Sequence, residues 1–239
     1  MQRAPTPAPL QLAEDRVFFV GGRKATVKSP FYGPTGLSGP GEITVGQMYV
    51  HYRAPVEPTG GAMVLVHGAN HTGATYETTP DGREGWATYF VRRGHPVYVI
   101  DHAGRGRSGF NPTPLNEAIA ARDIALTQHA PLYPQQAAWV NFRFGPAFGE
   151  TFPGMQFPIE VFDDYLAQLV PNGEAIEGGA GEATVVALVM LLERIGPAVL
   201  MVHSQSGLYG LEVVRRAPGL VRALVSVEGG SAPLPEGTV

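Results

Sequence analysis

Four short apolar runs that end at glycine or at polar residues constrain the fold of this chain more than any other feature. Two of them, 60–68 (GGAMVLVHG) and 96–104 (PVYVIDHAG), are typical of strands buried on both faces of a sheet. The remaining elements of the alternation are predicted strands at 198–203 and 221–228 and predicted helices at 83–94, 182–197 and 206–219. Strands that alternate with helices imply an α/β fold, with a mainly parallel sheet flanked by helices and right-handed crossovers.

The N-terminal part follows a different pattern. The segments 16–22 (RVFFVGG) and 43–55 (ITVGQMYVHYRAP) predict two early antiparallel strands, joined by a Gly/Pro-rich loop at 30–41. Residues 1–15 predict a flexible N-terminal arm, and 16–239 the α/β core.

Residues 109–180 interrupt the alternation of strands and helices, and we interpret them as a lid-like insertion. This segment is rich in proline and glycine, and nine aromatic residues lie within 133–165. The aromatic side chains either form a lid or pocket wall for a bulky or aromatic substrate, or make up the hydrophobic core of the insertion. The sequence leaves both interpretations open.

Composition excludes several classes of function. The net charge is −4, from 17 basic and 21 acidic residues without a basic stripe, which argues against nucleic acid as a partner. The chain has no cysteine, so disulfides, thiolate catalysis and cysteine metal sites are excluded. No His/Asp/Glu set has metal-ligand spacing, and we expect no metal and no cofactor. The longest apolar run, Val185–Leu192, is too short to span a membrane. The Pro/Ala-rich start favours a periplasmic or secreted protein over a cytoplasmic one.

The stretch MVHSQSGLYG, residues 201–210, predicts a nucleophile elbow with Ser204 at its tip. Such a turn lies between a strand and a helix and requires small residues two positions before and after the serine. Ser206 and the following Gly207 fit this requirement, whereas Val202 departs from it. The alternative is a serine in an ordinary loop between a strand and a helix.

Two backbone N–H groups are expected to stabilise an oxyanion beside this serine. One belongs to Gln205, the residue after the nucleophile, at the start of a helix where the dipole favours an anion. The other is predicted in the loop HGANHTG (67–73), on Ala69 or on the neighbouring Asn70. A plain glycine turn is the alternative for this loop.

Glu228 ends the predicted strand after the elbow helix, which places it at the same sheet edge as Ser204. A carboxylate there can orient an imidazole and stabilise the imidazolium form. The alternative is a solvated glutamate at a strand end. In the order of this triad the histidine follows the acid, yet the 35 residues after Ser204 contain no histidine.

The histidines that the sequence does contain are not at the expected position of the base. His203 precedes the serine, so we expect its side chain to point away from the hydroxyl and to pack. His67 is expected to brace the oxyanion loop. His71 and His102 lie on loops at the catalytic edge, where they could line a pocket or substitute for the base. The remaining ones, interpreted as surface or packing residues, are His51, His95 and His129.

The stretch GRGRSG, residues 104–109, matches the glycine pattern of a dinucleotide site. A dinucleotide site needs a helix that begins within the motif, whereas FNPTP follows here, and its two prolines oppose a helix start. We therefore predict a tight turn beside the pocket and reject a nucleotide-binding oxidoreductase.

The stretches LVHGANHTG (65–73), VYVIDHAGRGRSG (97–109) and MVHSQSG (201–207) resemble, in this order, the α/β-hydrolase fold. The finer resemblance is to the bacterial esterase 713 type, in which a His-Ser-Gln-Ser-Gly elbow pairs with a glutamate after the next strand. The resemblance implies hydrolysis of a carboxylic ester of a small molecule by a Ser/His/Glu triad, with Ser204 and Glu228 as the residues present here. That family has cysteines where this chain has Ala69 and Asn70, which changes the pocket but keeps the backbone donor.

The resemblance also implies further strand–helix units after Glu228, with the histidine on a late loop. A sheet that stops at 221–228 would leave a parallel edge strand uncovered. We therefore expect the C-terminal part of the fold to be missing from this chain, with the histidine supplied by a C-terminal fragment or a second chain. A homodimer is one arrangement left open. The alternative function is a non-catalytic relative that binds a small apolar ligand.

Overall fold

The computed structural model describes residues 8–27, 40–178 and 181–230, which form one six-stranded mixed sheet with helices packed against it. The strands are β1 (Leu12–Val27), β2 (Gly41–Pro55), β3 (Met63–Val66), β4 (Val97–Asp101), β5 (Ala198–His203) and β6 (Val221–Val227). The helices are α1 (Ala74–Glu77), α2 (Trp86–Val91), α3 (Thr113–Ala121), α4 (Gln135–Asn141), α5 (Phe162–Ala167), α6 (Glu182–Ile195) and α7 (Ser206–Arg216).

The strand order across the sheet is β1-β2-β4-β3-β5-β6. The two pairs that involve β2 are antiparallel, and the pairs β4–β3, β3–β5 and β5–β6 are parallel. The predicted α/β fold with a mainly parallel sheet is therefore confirmed. Because parallel strands end at the same edge, the loops after β3, β4, β5 and β6 meet at one side of the molecule.

Alternate side chains of the central strands enter two hydrophobic clusters on opposite faces of the sheet. On one face, Val64 and Val66 pack with apolar residues of α6 and α7. On the other face, Met63 and Leu65 pack with apolar residues of α1 and α2. This burial on both faces explains why β3 is continuously apolar in sequence.

Strand β6 lies at the edge of the sheet and, within the described residues, pairs only with β5. Its side chains are half-buried or exposed along its whole length, and Val225 is 41% exposed. The expectation that further polypeptide covers this edge stays a prediction.

The N-terminal strand is longer than predicted. β1 begins at Leu12, so residues 12–15 of the predicted flexible arm are strand residues. They pair with the end of β2, and Asp15 lies opposite Arg53. The prediction missed them because Glu14 and Asp15 are acidic and disfavoured in strands, whereas the partner strand supplies the hydrogen bonds. The first part of the arm, 1–7, and most of the predicted loop at 30–41 lie outside the described residues.

The insertion predicted at 109–180 contains α3, α4 and α5, and residues 179–180 lie outside the described part. Its aromatic side chains form a core of their own, in which Trp139, Phe144, Phe162 and Tyr165 are buried. The indole N–H of Trp139 donates to the carbonyl of Glu150 at 2.8 Å. For these four aromatic residues the structure favours the core interpretation over the pocket-wall interpretation.

Candidate active site

Ser204 lies in a tight turn between β5 and α7, with a left-handed φ of +51°. A positive φ at a non-glycine residue is strained, and such strain is typical of functional sites. The Ser206 hydroxyl closes the turn, since it accepts from the backbone N–H of His203 at 2.9 Å. Val202, which departs from the elbow pattern, fits because Gly210 faces it: a Cβ on that glycine would lie 2.9 Å from Val202 Cγ1. The strand, turn and helix that the elbow motif requires are therefore present.

The loop after β3 lies directly against this turn. A Cβ built on Gly68 would lie 3.1 Å from Ser204 Cβ and 2.9 Å from His203 Nδ1. Only a glycine allows the two backbones to approach so closely. Gly68, and with it the adjoining Ala69, therefore lies beside the serine turn.

The backbone N–H groups of Gln205 and Ala69 donate no hydrogen bond to any residue that the structure describes. The N–H of Asn70, in contrast, donates to Asn172 Oδ1 at 2.9 Å. Of the two N–H groups considered for the oxyanion, that of Ala69 is therefore free within the described residues and that of Asn70 is engaged. The role of Ala69 as the donor stays a prediction.

Asn70 is a clamp between this loop and the insertion. It is 1% exposed, and its φ of +57° is also left-handed. Its side-chain amide donates to the carbonyls of Pro131 and Val170 at 2.8 and 3.2 Å, and its Oδ1 accepts from the N–H of Tyr133 at 3.2 Å. The sequence also offered Asn70 as a possible pocket residue; its polar atoms are all engaged in these contacts, and a place in a pocket stays a prediction.

His71 and His102 are also buried and do not line an open pocket. Both ring nitrogens of His71 are engaged, with Nδ1 at 2.7 Å from the Ala69 carbonyl and Nε2 at 3.0 Å from the Tyr165 hydroxyl. Burial lowers the pKa of His71 to about 4 and that of His102 far below its usual range. Neither imidazole contacts Ser204, so neither is placed to act as a substitute base.

His67 braces the oxyanion loop, as the sequence predicted. Its Nε2 accepts from the backbone N–H of His102 at 3.0 Å, so the proton is on Nδ1, which donates to the Gly68 carbonyl at 3.0 Å. The two imidazole rings stack with centroids 3.9 Å apart. Burial, with a smaller contribution from the nearby Arg105 guanidinium, lowers the pKa of His67 to about 3, so the ring is neutral.

No imidazole hydrogen-bonds the Ser204 hydroxyl, although all seven histidines of the sequence lie within the described ranges. His203 is partly buried, which lowers its pKa, and its Nδ1 lies against Gly68. His51 and His95 bind other partners: His51 lies between two carboxylates, and His95 Nδ1 lies 2.8 Å from the Gly61 carbonyl.

Glu228 lies beside the elbow, at the end of β6. The N–H of Ser204 donates to the Val227 carbonyl at 3.1 Å, and the N–H of Gly230 donates to the Ser204 carbonyl at 2.7 Å. Glu228 itself has a left-handed φ of +45°, and its side chain is 60% exposed. The carboxylate lies 3.4 Å from Arg143 Nη1 of the insertion and raises the pKa of His203, against the dominant effect of burial. The Glu228 carboxylate thus lies near the serine and is exposed enough to accept a hydrogen bond from another residue.

The turn after β4 contains the glycine motif 104–109 and Arg105, a residue to which the sequence assigned no role. Residues 104–109 form a turn with a short 3-10 helix at Gly106–Ser108, and no α-helix begins within the glycine motif. Helix α3 begins later, at Thr113, with Pro114 in its first turn, where a missing N–H is harmless. The expectation that the prolines oppose a helix start was therefore wrong.

The guanidinium of Arg105 from this turn contacts both the Gly68 carbonyl and the Gln205 side chain.

A cavity of about 560 Å³ lies between the β1–β2 hairpin and the start of α6. Gly21, Gly46, Gly104 and Thr184 are among its lining residues, but Ser204 and Glu228 are not. The cavity is therefore separate from the serine.

Within the described ranges, no three His, Asp or Glu side chains are grouped to hold a metal ion. In the same ranges no helix has the length and apolar character needed to cross a membrane.

Comparison with known proteins decides the family. A solved structure described as a novel bacterial esterase superposes with a TM-score of 0.88 and 37% sequence identity, over 99% of this chain and 74% of the esterase. The chain belongs to the α/β-hydrolase family. The resemblance stated from the strand and elbow motifs is thus confirmed. No protein-family model matches this α/β hydrolase.

A curated fungal protein is also similar. The probable secreted lipase phiG of a fungal species is 33% identical over 192 residues, which are 78% of this chain and 50% of the lipase. The α/β hydrolase described here therefore matches about half the length of that curated relative.

Proposed function

We propose that this α/β hydrolase hydrolyses a carboxylic ester of a small molecule through an acyl-enzyme on Ser204. The observation that carries the proposal is the placement of two free N–H groups, on Gln205 and Ala69, next to the strained serine turn. A serine without oxyanion donors would be an ordinary loop residue. The similarity to an esterase and to a probable lipase supports the same reaction class.

In this proposal Ser204 attacks the ester carbonyl, and the alkoxide that forms on the carbonyl oxygen accepts hydrogen bonds from the two N–H groups. The Gln205 N–H lies at the N-terminus of α7, where the helix dipole adds a favourable interaction with the negative charge. Loss of one such donor costs about 2.7–4 kcal/mol of transition-state stabilisation. The proton of the Ser204 hydroxyl passes to the histidine base, which gives it to the leaving alcohol as the tetrahedral intermediate collapses and leaves the acyl group on the serine. Water that is deprotonated by the same base then hydrolyses this acyl-enzyme, which releases the carboxylic acid and restores Ser204.

Glu228 is proposed as the acid that orients the histidine base and stabilises its imidazolium form. Its exposure and its backbone connection to the elbow support this role. Since no imidazole in residues 1–239 contacts Ser204, we place the base in polypeptide outside these residues, in a C-terminal segment or a second chain. The partial coverage of both relatives supports this placement.

A fluorophosphonate probe tests the nucleophile directly in the full-length gene product. We expect covalent labelling that peptide mapping assigns to Ser204, and loss of both labelling and ester hydrolysis in Ser204→Ala. Ser226→Ala is the matched control, because the Ser226 hydroxyl on β6 forms no hydrogen bond with the elbow turn, and it should retain both. Hydrolysis that persists in Ser204→Ala would refute the proposal. Saturable binding of an ester without labelling or turnover would instead favour the non-catalytic alternative.

Export from the cytoplasm is also proposed, because the similar fungal lipase is described as secreted. Fractionation of the native host, with an antibody against this chain, tests it. The protein should appear in the periplasm or the culture medium, and recovery with cytoplasmic markers alone would contradict the proposal.

A further inference from the structure

The Gly68 carbonyl has an unusual set of donors for a loop carbonyl. It accepts from Nη1 of Arg105 at 2.8 Å and from Nδ1 of His67 at 3.0 Å. Both donors are buried, since Arg105 is 1% and His67 0% exposed. Hydrogen bonds from a charged donor in a buried environment are stronger than those on the surface, so the direction of this carbonyl is fixed.

The same peptide unit contains the proposed oxyanion donor. The carbonyl of Gly68 and the N–H of Ala69 belong to one planar peptide, and no cis peptide is present among the described residues. In a trans peptide the two groups point in opposite directions. A carbonyl held toward Arg105 therefore directs the Ala69 N–H away from it, on the side free of protein partners.

Arg105 contacts the second donor residue as well. Its Nη2 donates to Gln205 Oε1 at 3.1 Å, and the backbone N–H of Gln205 is the other proposed oxyanion donor. The guanidinium is neutralised by Glu174, which accepts from Nε at 3.1 Å and also from Nη2. A planar fork with several donors suits three acceptors at once, which a single ammonium group cannot match.

We propose that Arg105 is a positioning residue of this site: it holds the Gly68–Ala69 peptide and the Gln205 side chain so that both N–H groups converge on the oxyanion. The inference rests on the proposed ester hydrolysis at Ser204. It also gives a role to the turn at 104–109, since Gly104, with a φ of +89°, packs directly on the backbone of Glu174, the partner of Arg105.

The test is steady-state kinetics of the full-length protein with an activated ester, for Arg105→Lys and for Glu174→Gln. Arg105→Lys should lower kcat at least about tenfold, up to the ~10²–10³-fold that loss of a whole donor costs, with KM changed less than about threefold. Glu174→Gln removes the negative charge of the residue that binds Arg105 but keeps its shape, so it should lower kcat less than Arg105→Lys. It also serves if the lysine variant does not fold.

Arg107→Lys is the matched control. Arg107 lies two residues away and binds Asp101 and Glu77. Its side chain lies near Gly73, at the far end of the loop 67–73, but it forms no hydrogen bond with Gly68, Ala69 or Gln205. This variant should lower Tm but leave kcat within about twofold of the wild type. An equal loss of kcat in Arg107→Lys would show a general effect of destabilisation and would overturn the inference.

Binding of a trifluoromethyl ketone, whose hemiketal oxyanion mimics the intermediate, separates positioning from a purely structural role. Its inhibition constant should rise in Arg105→Lys by the same factor as kcat/KM falls. An unchanged inhibition constant, or a change in KM alone, overturns the positioning role. These outcomes leave the proposed reaction intact, because that is tested separately by Ser204→Ala.

Discussion

Removal of the Asn70 side chain should uncouple the oxyanion loop from the insertion. The substitution to alanine takes one hydrogen bond from each of three backbone groups: the carbonyls of Pro131 and Val170 and the N–H of Tyr133. A fourth bond, from the side-chain amide to Asn172 Oδ1 at 3.2 Å, is also lost, but that oxygen keeps the backbone N–H of residue 70 as a donor and adds no further cost. Each of the three backbone groups lies near the surface, so we assign about 1 kcal/mol to each, the low end of the range for a lost buried hydrogen bond. The three losses sum to about 3 kcal/mol of the free energy of unfolding.

The backbone at Asn70 adds a second effect that can be separated from the first. Its φ of +57° strains an alanine, whereas glycine adopts it freely. Asn70→Gly removes the same three hydrogen bonds, so it should be milder than Asn70→Ala by roughly 0.5–1 kcal/mol after its greater unfolded-state entropy is included. We therefore expect costs of about 3 kcal/mol for the glycine variant and about 4 kcal/mol for the alanine variant.

Urea unfolding followed by far-UV circular dichroism and tryptophan fluorescence measures both variants. Trp139 is 3% exposed in the aromatic core of the insertion, and a Trp86→Phe background removes the signal of the second tryptophan, which is 48% exposed. A loss of less than about 1 kcal/mol in the free energy of unfolding for both variants would refute the claim that the Asn70 hydrogen bonds hold the oxyanion loop against the insertion. A glycine variant less stable than the alanine variant would refute the argument from φ.

Two further predictions concern the elbow and a surface ion pair. Gly68→Ala should lower ester hydrolysis by ~10²-fold or more, measured with the same activated ester, because its Cβ would lie 3.1 Å from Ser204 Cβ and displace the oxyanion loop; activity near that of the wild type would contradict the close packing. His51→Gln should cost more stability at acidic than at alkaline pH. The hydrogen bond to Glu77 raises the pKa of His51 above its usual 6.5, so its stabilisation is complete below that value and is lost as the pH rises through the folded-state pKa. The pKa of Glu77 is lowered by the same bond, so its contribution is lost only at still lower pH. The difference in free energy of unfolding between wild type and variant should be larger at about pH 5.5 than at about pH 8.5, by at most about 1 kcal/mol for a solvent-screened pair; an equal difference at both values would contradict the assignment.

Local sequence patterns determined the fold class and the serine turn. The apolar runs at 60–68 and 198–203 predicted the strands correctly because burial on both faces requires continuous apolar residues. The elbow at Ser204 was predictable for the same kind of reason, since a strand, a sharp turn and a helix follow one another within ten residues. Glu228 could also be placed at the correct sheet edge, because parallel strands end together.

The assignments that failed depend on contacts between segments far apart in sequence. The sequence predicted Ala69 as the oxyanion donor and left the adjacent Asn70 as the alternative, and only the tertiary structure shows that the Asn70 N–H is engaged by Asn172, 102 residues later. His71 and His102 looked accessible on their loops, yet tertiary packing buries them.

Arg105 is the clearest example of a residue whose local turn was predictable from sequence but whose contacts were not. Its sequence context indicated a tight turn, and the turn is present. Its contacts with Gly68, Glu174 and Gln205 join segments that are 37 to 100 residues apart in sequence, so no local sequence pattern predicts these contacts. The alternation of strands and helices and the burial of the central strands follow from neighbouring residues and their periodicity, and the sequence by itself determined these features here. The direction of a hydrogen-bonding group depends on which distant segments pack around it, and only the tertiary structure decided that.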